Sequence, residues 1–170
     1  QILVDQVTLP NFQRGLSAFI EKPDLGPFAI TKFLGHNANH ALLGYLAREQ
    51  GLAYMHEAGQ REDLMAFVRE AFLEESGVGL RHRYAAVDDE LFTADGFAAY
   101  AEDALERMVN PFLRDPVDRV TRDPARKLGW EDRLVGSMLT AAEAGVSPRN
   151  LARGVSLALD CLCTESDRDD

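Results

Sequence analysis

The sequence predicts an all-α fold: a single domain of about six helices, with a short irregular or strand-like segment at its N-terminus. Three observations predict it. Apolar residues recur at three-to-four spacing over most of the chain. Proline and glycine stand where the apolar runs begin or end. The chain of 170 residues is 46% hydrophobic and 27% charged, which is ordinary for one globular domain.

The elements follow in order along the chain. Residues 1–29 form the predicted N-terminal segment, in which 2–9 has the composition of a strand and later prolines and glycines indicate irregular structure. The domain proper is predicted over 30–165, with helical periodicity from about residue 36. Gly77 is expected to end the second helix as a left-handed cap. The apolar positions of the first two helices are Ala41, Leu42, Tyr45, Leu46 and Leu52, and then Leu64, Phe67, Val68, Ala71 and Phe72.

The later helices have clearer boundary signals. A third helix is predicted over about 93–109, where Pro111 stops it, and another over about 131–144, closed by Gly145. A capping side chain before a proline predicts a helix start. This pattern occurs at Asp115-Pro116, at Asp123-Pro124 (a short turn only) and at Ser147-Pro148.

Charge and composition disfavour several classes of function. The net charge of -10 opposes binding to nucleic acids and to anionic membranes. No apolar run is long enough to span a bilayer, and no signal-peptide layout is present, so the cytoplasm is the expected location. Cys161 and Cys163 lie two apart, a spacing that fits neither a C-x-x-C redox pair nor a zinc ribbon. We expect them to be free thiols in a reducing compartment.

Nucleotide-binding signatures are missing from the sequence. It contains no P-loop and no G-x-G-x-x-G that follows a strand. An all-α chain without these motifs is not expected to bind a dinucleotide on its own. We therefore expect this chain to contain no Rossmann domain.

One constellation of side chains indicates chemistry: Lys32, Asn37 and His40, in the pattern K-x4-N-x2-H. Asn37 and His40, three apart, fall on one face of a first helical turn. Lys32 is expected in a preceding extended stretch that folds back over this turn. Such a trio suits proton and hydride exchange at a secondary alcohol. The amine would take the hydroxyl proton as general base, while the amide and the imidazole donate hydrogen bonds to the oxygen.

This pattern, followed by H-A-x-x-G-Y-L-A at 40–47, resembles the helical C-terminal domain of the polyol-specific long-chain dehydrogenases. Further segments are similar to the family in the same order, so that the resemblance covers about 30–160. They are E-E-S-G at 74–77 with Arg83-Tyr84, N-P-F-L at 110–113 with Asp115 and Val117, the block 119–128, Asp132-Arg133-Leu134 and Asn150-Leu151.

The resemblance implies roles for individual residues. Lys32 matches the catalytic acid/base lysine, and Asn37 and His40 match the residues that hold and polarise the reacting oxygen. Arg119 and Lys127 match positions that bind the remaining hydroxyls of the polyol. Arg122 or Arg126 would hold the phosphate if the substrate is phosphorylated. The family usually has a carboxylate two or three residues before the lysine, where this chain has Ile30 and Ala29.

The resemblance also implies cofactors and partners. The reaction uses NAD or NADP, bound mainly by an N-terminal Rossmann domain of the parent chain, and it needs no metal. The substrate is a sugar alcohol or its phosphate. The isolated domain is expected to be inactive, because it offers no cleft for the dinucleotide.

Two other interpretations stay open at this point. His36 and His40, four apart on a helix, have the spacing of two ligands to one metal ion, which Glu57 or Asp63 would complete. Alternatively, the chain is a non-catalytic helical interaction module that has kept only the fold.

Overall fold

The computed structural model describes residues 2–12 and 15–166, and it confirms the predicted helical class. Over these residues two strands precede ten α-helical segments. The strands are β1 (Ile2–Asp5) and β2 (Phe19–Lys22). The helical segments are α1 (Gly26–Thr31), α2 (Asn37–Glu49), α3 (Met55–Ala58), α4 (Glu62–Glu70), α5 (Gly77–Arg83), α6 (Ala94–Met108), α7 (Val117–Thr121), α8 (Pro124–Lys127), α9 (Arg133–Glu143) and α10 (Arg149–Ser166).

The two strands form a small parallel sheet, in which Ile2 is paired with Phe19. The strand-like character predicted for the N-terminal segment is therefore confirmed for 2–5. Lys22, at the end of β2, forms an ion pair with Asp89 in the loop before α6. Several apolar side chains of this segment remain in solvent, among them Ile2, Leu9 and Leu16. A sheet of only two strands therefore leaves apolar surface and backbone edges uncovered.

The first long helix begins ten residues earlier than predicted. α1 and α2 form one continuous helix over 26–49, joined by a π-helical segment, Lys32–His36. The expectation of an extended stretch around Lys32 is therefore wrong. The prolines of the N-terminal segment predict irregular structure, but Pro27 lies in the first turn of α1. A proline costs no hydrogen bond at that position.

A second π-helical segment, Ala71–Ser76, joins α4 and α5 into one helix over 62–83. Gly77 has φ −69° and lies inside this helix, so the prediction that it ends the helix is wrong. Glycine is needed here because the ring of Phe97 packs closely against the helix. A Cβ at this position would lie 2.7 Å from Cε1 of Phe97. Gly145, with φ +78°, does follow its helix in the predicted left-handed conformation.

The helix starts predicted from prolines are confirmed in position, but the aspartates predicted to cap α7 and α8 make no capping hydrogen bond. Pro116 is itself the N-cap of α7, and the Asp115 carboxylate does not cap that helix. Asp123 precedes Pro124 of α8 as predicted, but its side chain makes no capping bond. At α10 the cap comes from a distant residue: Glu75 accepts hydrogen bonds from the N–H groups of Asn150 (2.7 Å) and Leu151 (2.9 Å). At α10 the capping partner is thus set by a tertiary contact that local sequence does not reveal.

The core surrounds α2, which is buried on nearly all sides. Helices α4, α7, α9 and α10 pack around it. Its buried residues are Ala38, Asn39, Ala41, Leu42, Leu43, Gly44, Tyr45, Leu46 and Ala47. Along residues 2–12 and 15–166, no helix combines the length and the apolar character needed to cross a membrane.

A buried polar network links the two π-helical segments. The Nδ2 group of Asn39 donates to the carbonyl of Gly35 (2.9 Å) and to Oγ of Ser76 (3.0 Å). Ser76 Oγ in turn lies 3.0 Å from Oγ of Ser137 on α9. Because buried polar groups without partners are costly, this network favours one packing of the three helices. It fixes the helix that carries Lys32.

Candidate active site

The π-helical segment brings Lys32 and Asn37 onto one side of their helix. The backbone N–H of Asn37 donates to the carbonyl of Lys32, five residues earlier. In an α-helix, five residues correspond to a rotation of about 140°, so these side chains would point apart. The wider π-turn instead places them near one another, one above the other. The spacing K-x4-N is therefore the spacing of a π-turn, and His40 follows on the next turn of α2.

The three side chains differ in exposure, with the lysine in solvent and the other two partly buried. Lys32 is exposed, Asn37 is half-buried, and the side chain of His40 is 19% exposed. The predicted amine, amide and imidazole thus extend from solvent towards the interior along one helix.

His40 lies between a carboxylate and a second imidazole. Its Nε2 atom is buried and lies 3.5 Å from Oδ2 of Asp115. The ring of His36 meets the ring of His40 edge-on, with 6.0 Å between the ring centroids. Asp115 is itself held by Arg119, whose Nε and Nη2 groups donate to its two oxygens at 2.5 Å each. Sequence analysis did not identify Asp115 as a site residue.

Both histidines are neutral at pH 7. Burial lowers the pKa of His40 to about 4, and neighbouring His36, Arg119 and Arg133 act in the same direction against Asp115. Burial also lowers the pKa of His36 to about 4, with Lys32 as the next cause. A neutral imidazole carries one N–H donor and one acceptor nitrogen. His40 can therefore hold a substrate hydroxyl without adding charge to the site.

Arg133 is a further cation beside the trio. Its guanidinium lies over the ring of Phe33, 5.2 Å from the ring centroid, and Nε donates to Asp132 at 3.0 Å. Its charge lowers the pKa of both His40 and Lys127. The only sequence signal for this residue was its place in the D-R-L segment of the family resemblance.

The four predicted substrate-binding residues lie in different environments. Arg119 is exposed beside His40, with two of its N–H groups engaged by Asp115. Lys127 is only 3% exposed and donates to the carbonyl of Arg122, and burial lowers its pKa to about 8. Arg122 and Arg126 are exposed. The structure thus connects Arg119 to His40 through Asp115, buries Lys127 against the carbonyl of Arg122, and leaves Arg122 and Arg126 on the surface.

A cavity of about 420 Å³ opens beside the helix that carries Lys32. Ile30 and Phe33 of that helix line it, together with Trp130 and residues of α9. Trp130 is 72% exposed, and Phe112, on the turn before Asp115, is 94% exposed. Both apolar side chains are therefore open to solvent, Trp130 at the rim of the cavity and Phe112 on the turn that leads to Asp115.

Among the described residues, no third ligand completes the metal site suggested by the spacing of His36 and His40. Over the described residues, no three His, Cys, Asp or Glu side chains converge in a way that could hold a metal ion. Glu57 accepts hydrogen bonds from the N–H groups of Ala53 (2.7 Å) and Tyr54 (2.8 Å). Asp63 pairs with Arg61 at 3.1 Å. Both carboxylates proposed to complete the site are therefore engaged elsewhere.

Comparison with known proteins places the chain in a family. Residues 24–168 match the family model of the mannitol dehydrogenase C-terminal domain. A similar curated protein is the mannitol-1-phosphate 5-dehydrogenase of Caldanaerobacter subterraneus subsp. tengcongensis, which is 34% identical over 136 residues. The aligned part covers 80% of this chain but 33% of that relative, so the chain spans about a third of the relative's length.

Proposed function

Because the chain belongs to the mannitol dehydrogenase C-terminal domain family, we propose that it is the substrate-binding and catalytic domain of an NAD- or NADP-dependent polyol or polyol-phosphate dehydrogenase. The observation that carries the proposal is the π-turn from Lys32 to Asn37, after which His40 follows on the same helix beside the carboxylate of Asp115. Segments of π-helix are rare, and they occur frequently at functional sites.

In the proposed reaction Lys32 is the general base. Its amine takes the proton of the substrate hydroxyl, while the carbon loses a hydride and the alcohol becomes a carbonyl. The dinucleotide, when bound, accepts that hydride. The half-buried amide of Asn37 donates a hydrogen bond to the oxygen as charge develops on it. His40, neutral at pH 7, holds a hydroxyl group of the substrate.

A Rossmann domain of the parent chain is the proposed partner of this domain. No strand, glycine-rich turn and helix in succession occur over 2–12 and 15–166, so the dinucleotide would be held mainly by that partner. Uncovered apolar side chains support the docking of such a domain on the N-terminal segment and around the cavity, namely those of Ile2, Leu9, Leu16, Phe112 and Trp130. We further propose that the parent protein acts in the cytoplasm.

The substrate is proposed to be a sugar alcohol or its phosphate. Arg119 and Lys127 would hold the remaining hydroxyls, and Lys127 would have to exchange its bond to the Arg122 carbonyl for one to substrate. The exposed Arg122 and Arg126 would hold a phosphate if one is present. The name of the relative favours the phosphorylated substrate.

The test compares the full-length parent protein with the 170-residue chain. Both are assayed with mannitol 1-phosphate and with mannitol, each in the presence of NAD⁺ or NADP⁺. We expect reduction of the dinucleotide by the full-length protein with at least one of these substrates, and none by the 170-residue chain. A folded full-length protein that oxidises neither polyol would contradict the proposal and favour the non-catalytic interaction module.

A further inference from the structure

Asp115 is a buried carboxylate in a fixed position. The residue is 8% exposed and lies between the turn at 111–113 and α7. Its carbonyl accepts from the N–H of Met55 (2.9 Å), and the N–H of Val117 donates to the carbonyl of Ala53 (3.0 Å). These bonds pin the backbone on both sides of Asp115 against the segment that follows α2.

The carboxylate has two neighbours of different kinds. Oδ2 lies 3.5 Å from Nε2 of His40, a buried atom that has no hydrogen-bond partner among the described residues. Arg119, one turn further along, binds both oxygens in the two-point geometry that guanidinium and carboxylate groups favour. Arginine, carboxylate and imidazole therefore form one chain of contacts that ends at the proposed site.

We propose that Asp115 is a positioning residue for His40, and that Arg119 acts on His40 through Asp115. Asp115 accepts from Nε2–H, so it fixes the orientation of the ring and selects the tautomer that is protonated at Nε2. The inference deepens the proposed function, because it rests on His40 as a residue that holds a substrate hydroxyl.

The proposal changes the role expected for His40 from its sequence pattern. With Nε2–H directed at Asp115, the nitrogen left for a ligand is Nδ1, which carries the lone pair. His40 then accepts a hydrogen bond from a hydroxyl next to the reacting one, whose own proton goes to Lys32, and Asn37 remains the donor to the developing negative charge. The two residues of the pattern N-x2-H thus perform opposite hydrogen-bonding tasks.

Arg119 has a separate electrostatic task in this arrangement. A bare carboxylate beside an imidazole favours the imidazolium form. Asp115 raises the pKa of His40, whereas Arg119 lowers it, and the ring also faces His36 of its own helix and Arg133 of α9. By neutralising Asp115, Arg119 keeps the carboxylate available for orientation without charging the ring.

The experiment follows His40 by NMR in the 170-residue chain labelled with ¹⁵N-histidine. The chain has four histidines, and His40→Gln identifies the resonance of interest. The variants are Arg119→Gln, Asp115→Asn and the double variant. Asp118→Asn is the matched control, because Asp118 lies on the same short helix and its side chain is 94% exposed.

We expect the wild-type ring to be protonated at Nε2 at pH 7. Arg119→Gln should move the titration midpoint of His40 upward by about one pH unit, because the carboxylate is then no longer neutralised. The same substitution in the Asp115→Asn background should give a clearly smaller shift, since only the direct effect of the Arg119 charge on His40 is then removed. Asp118→Asn should change neither the midpoint nor the tautomer.

Two results would overturn the proposal: a wild-type His40 protonated at Nδ1, or an Arg119→Gln shift of equal size with and without Asp115. If Asp115→Asn does not fold, the wild-type tautomer and the single Arg119→Gln shift still decide. The measurement needs neither substrate nor dinucleotide. An inactive full-length protein would therefore refute the proposed function without affecting the NMR result. Conversely, an NMR result against the role of Asp115 would leave the proposed function standing.

Discussion

Replacing Lys32 by alanine in the full-length protein is expected to lower turnover by about 10²-fold or more, because a positioned general base contributes a factor of that order. The helix itself should remain intact. Lys32 is exposed, and the π-segment to which it belongs is held by hydrogen bonds of Asn39 to Gly35 and Ser76. The measurement is kcat with the preferred polyol, together with the thermal midpoint of the variant.

Lys32→Arg is the informative companion to that variant. Arginine keeps the positive charge, but it stays protonated in proteins and cannot accept the hydroxyl proton. Both substitutions should therefore remove turnover to a similar extent. Activity near the wild-type level in Lys32→Ala would refute the assignment of the base, and recovery in Lys32→Arg would show that charge alone is needed.

Mild acid is expected to destabilise the fold through His36 and His40. The pKa of each is lowered to about 4, against 6.5 in the unfolded chain. Between these values the unfolded state binds more protons, so stability falls as the pH drops from about 7 to 4. At 1.36 kcal/mol per pH unit, each imidazole accounts for at most about 3 kcal/mol of the free energy of unfolding.

Urea unfolding at pH 7 and at pH 5 measures this effect. His36→Gln and His40→Gln should each reduce the loss of stability between the two pH values, since glutamine does not titrate. His82→Gln is the control, because His82 is exposed. If all three variants lose as much stability as the wild type, then the two imidazoles are not held neutral by burial.

Much of the fold could be predicted from local signals. Gly145 and Pro111 correctly mark helix ends, because each acts on the backbone at its own position. The two π-segments could not be predicted, since a periodicity of 3.6 assumes a regular helix. The prediction that Gly77 ends its helix is wrong for a related reason. The missing side chain leaves space for Phe97, which lies twenty residues further along the chain.

The candidate site could be predicted from the sequence only where its residues lie on one helix. The trio of Lys32, Asn37 and His40 could be found because all its members lie on one helix. Asp115 and Arg133 reach His40 only through the tertiary fold, and no local pattern indicates such contacts. The family resemblance identified further residues but not their surroundings, so the burial of the Lys127 amine became evident only from the structure.

The central claim is that Lys32 and Asn37 act on the reacting hydroxyl of the substrate, and that His40 holds the hydroxyl beside it. A crystal structure of the full-length protein with a polyol and a dinucleotide tests it most directly. We expect one hydroxyl oxygen within about 3 Å of Nζ of Lys32 and Nδ2 of Asn37, and a neighbouring hydroxyl within hydrogen-bond distance of the ring of His40. A polyol bound away from this helix, with the Lys32 amine in bulk water, would contradict the account.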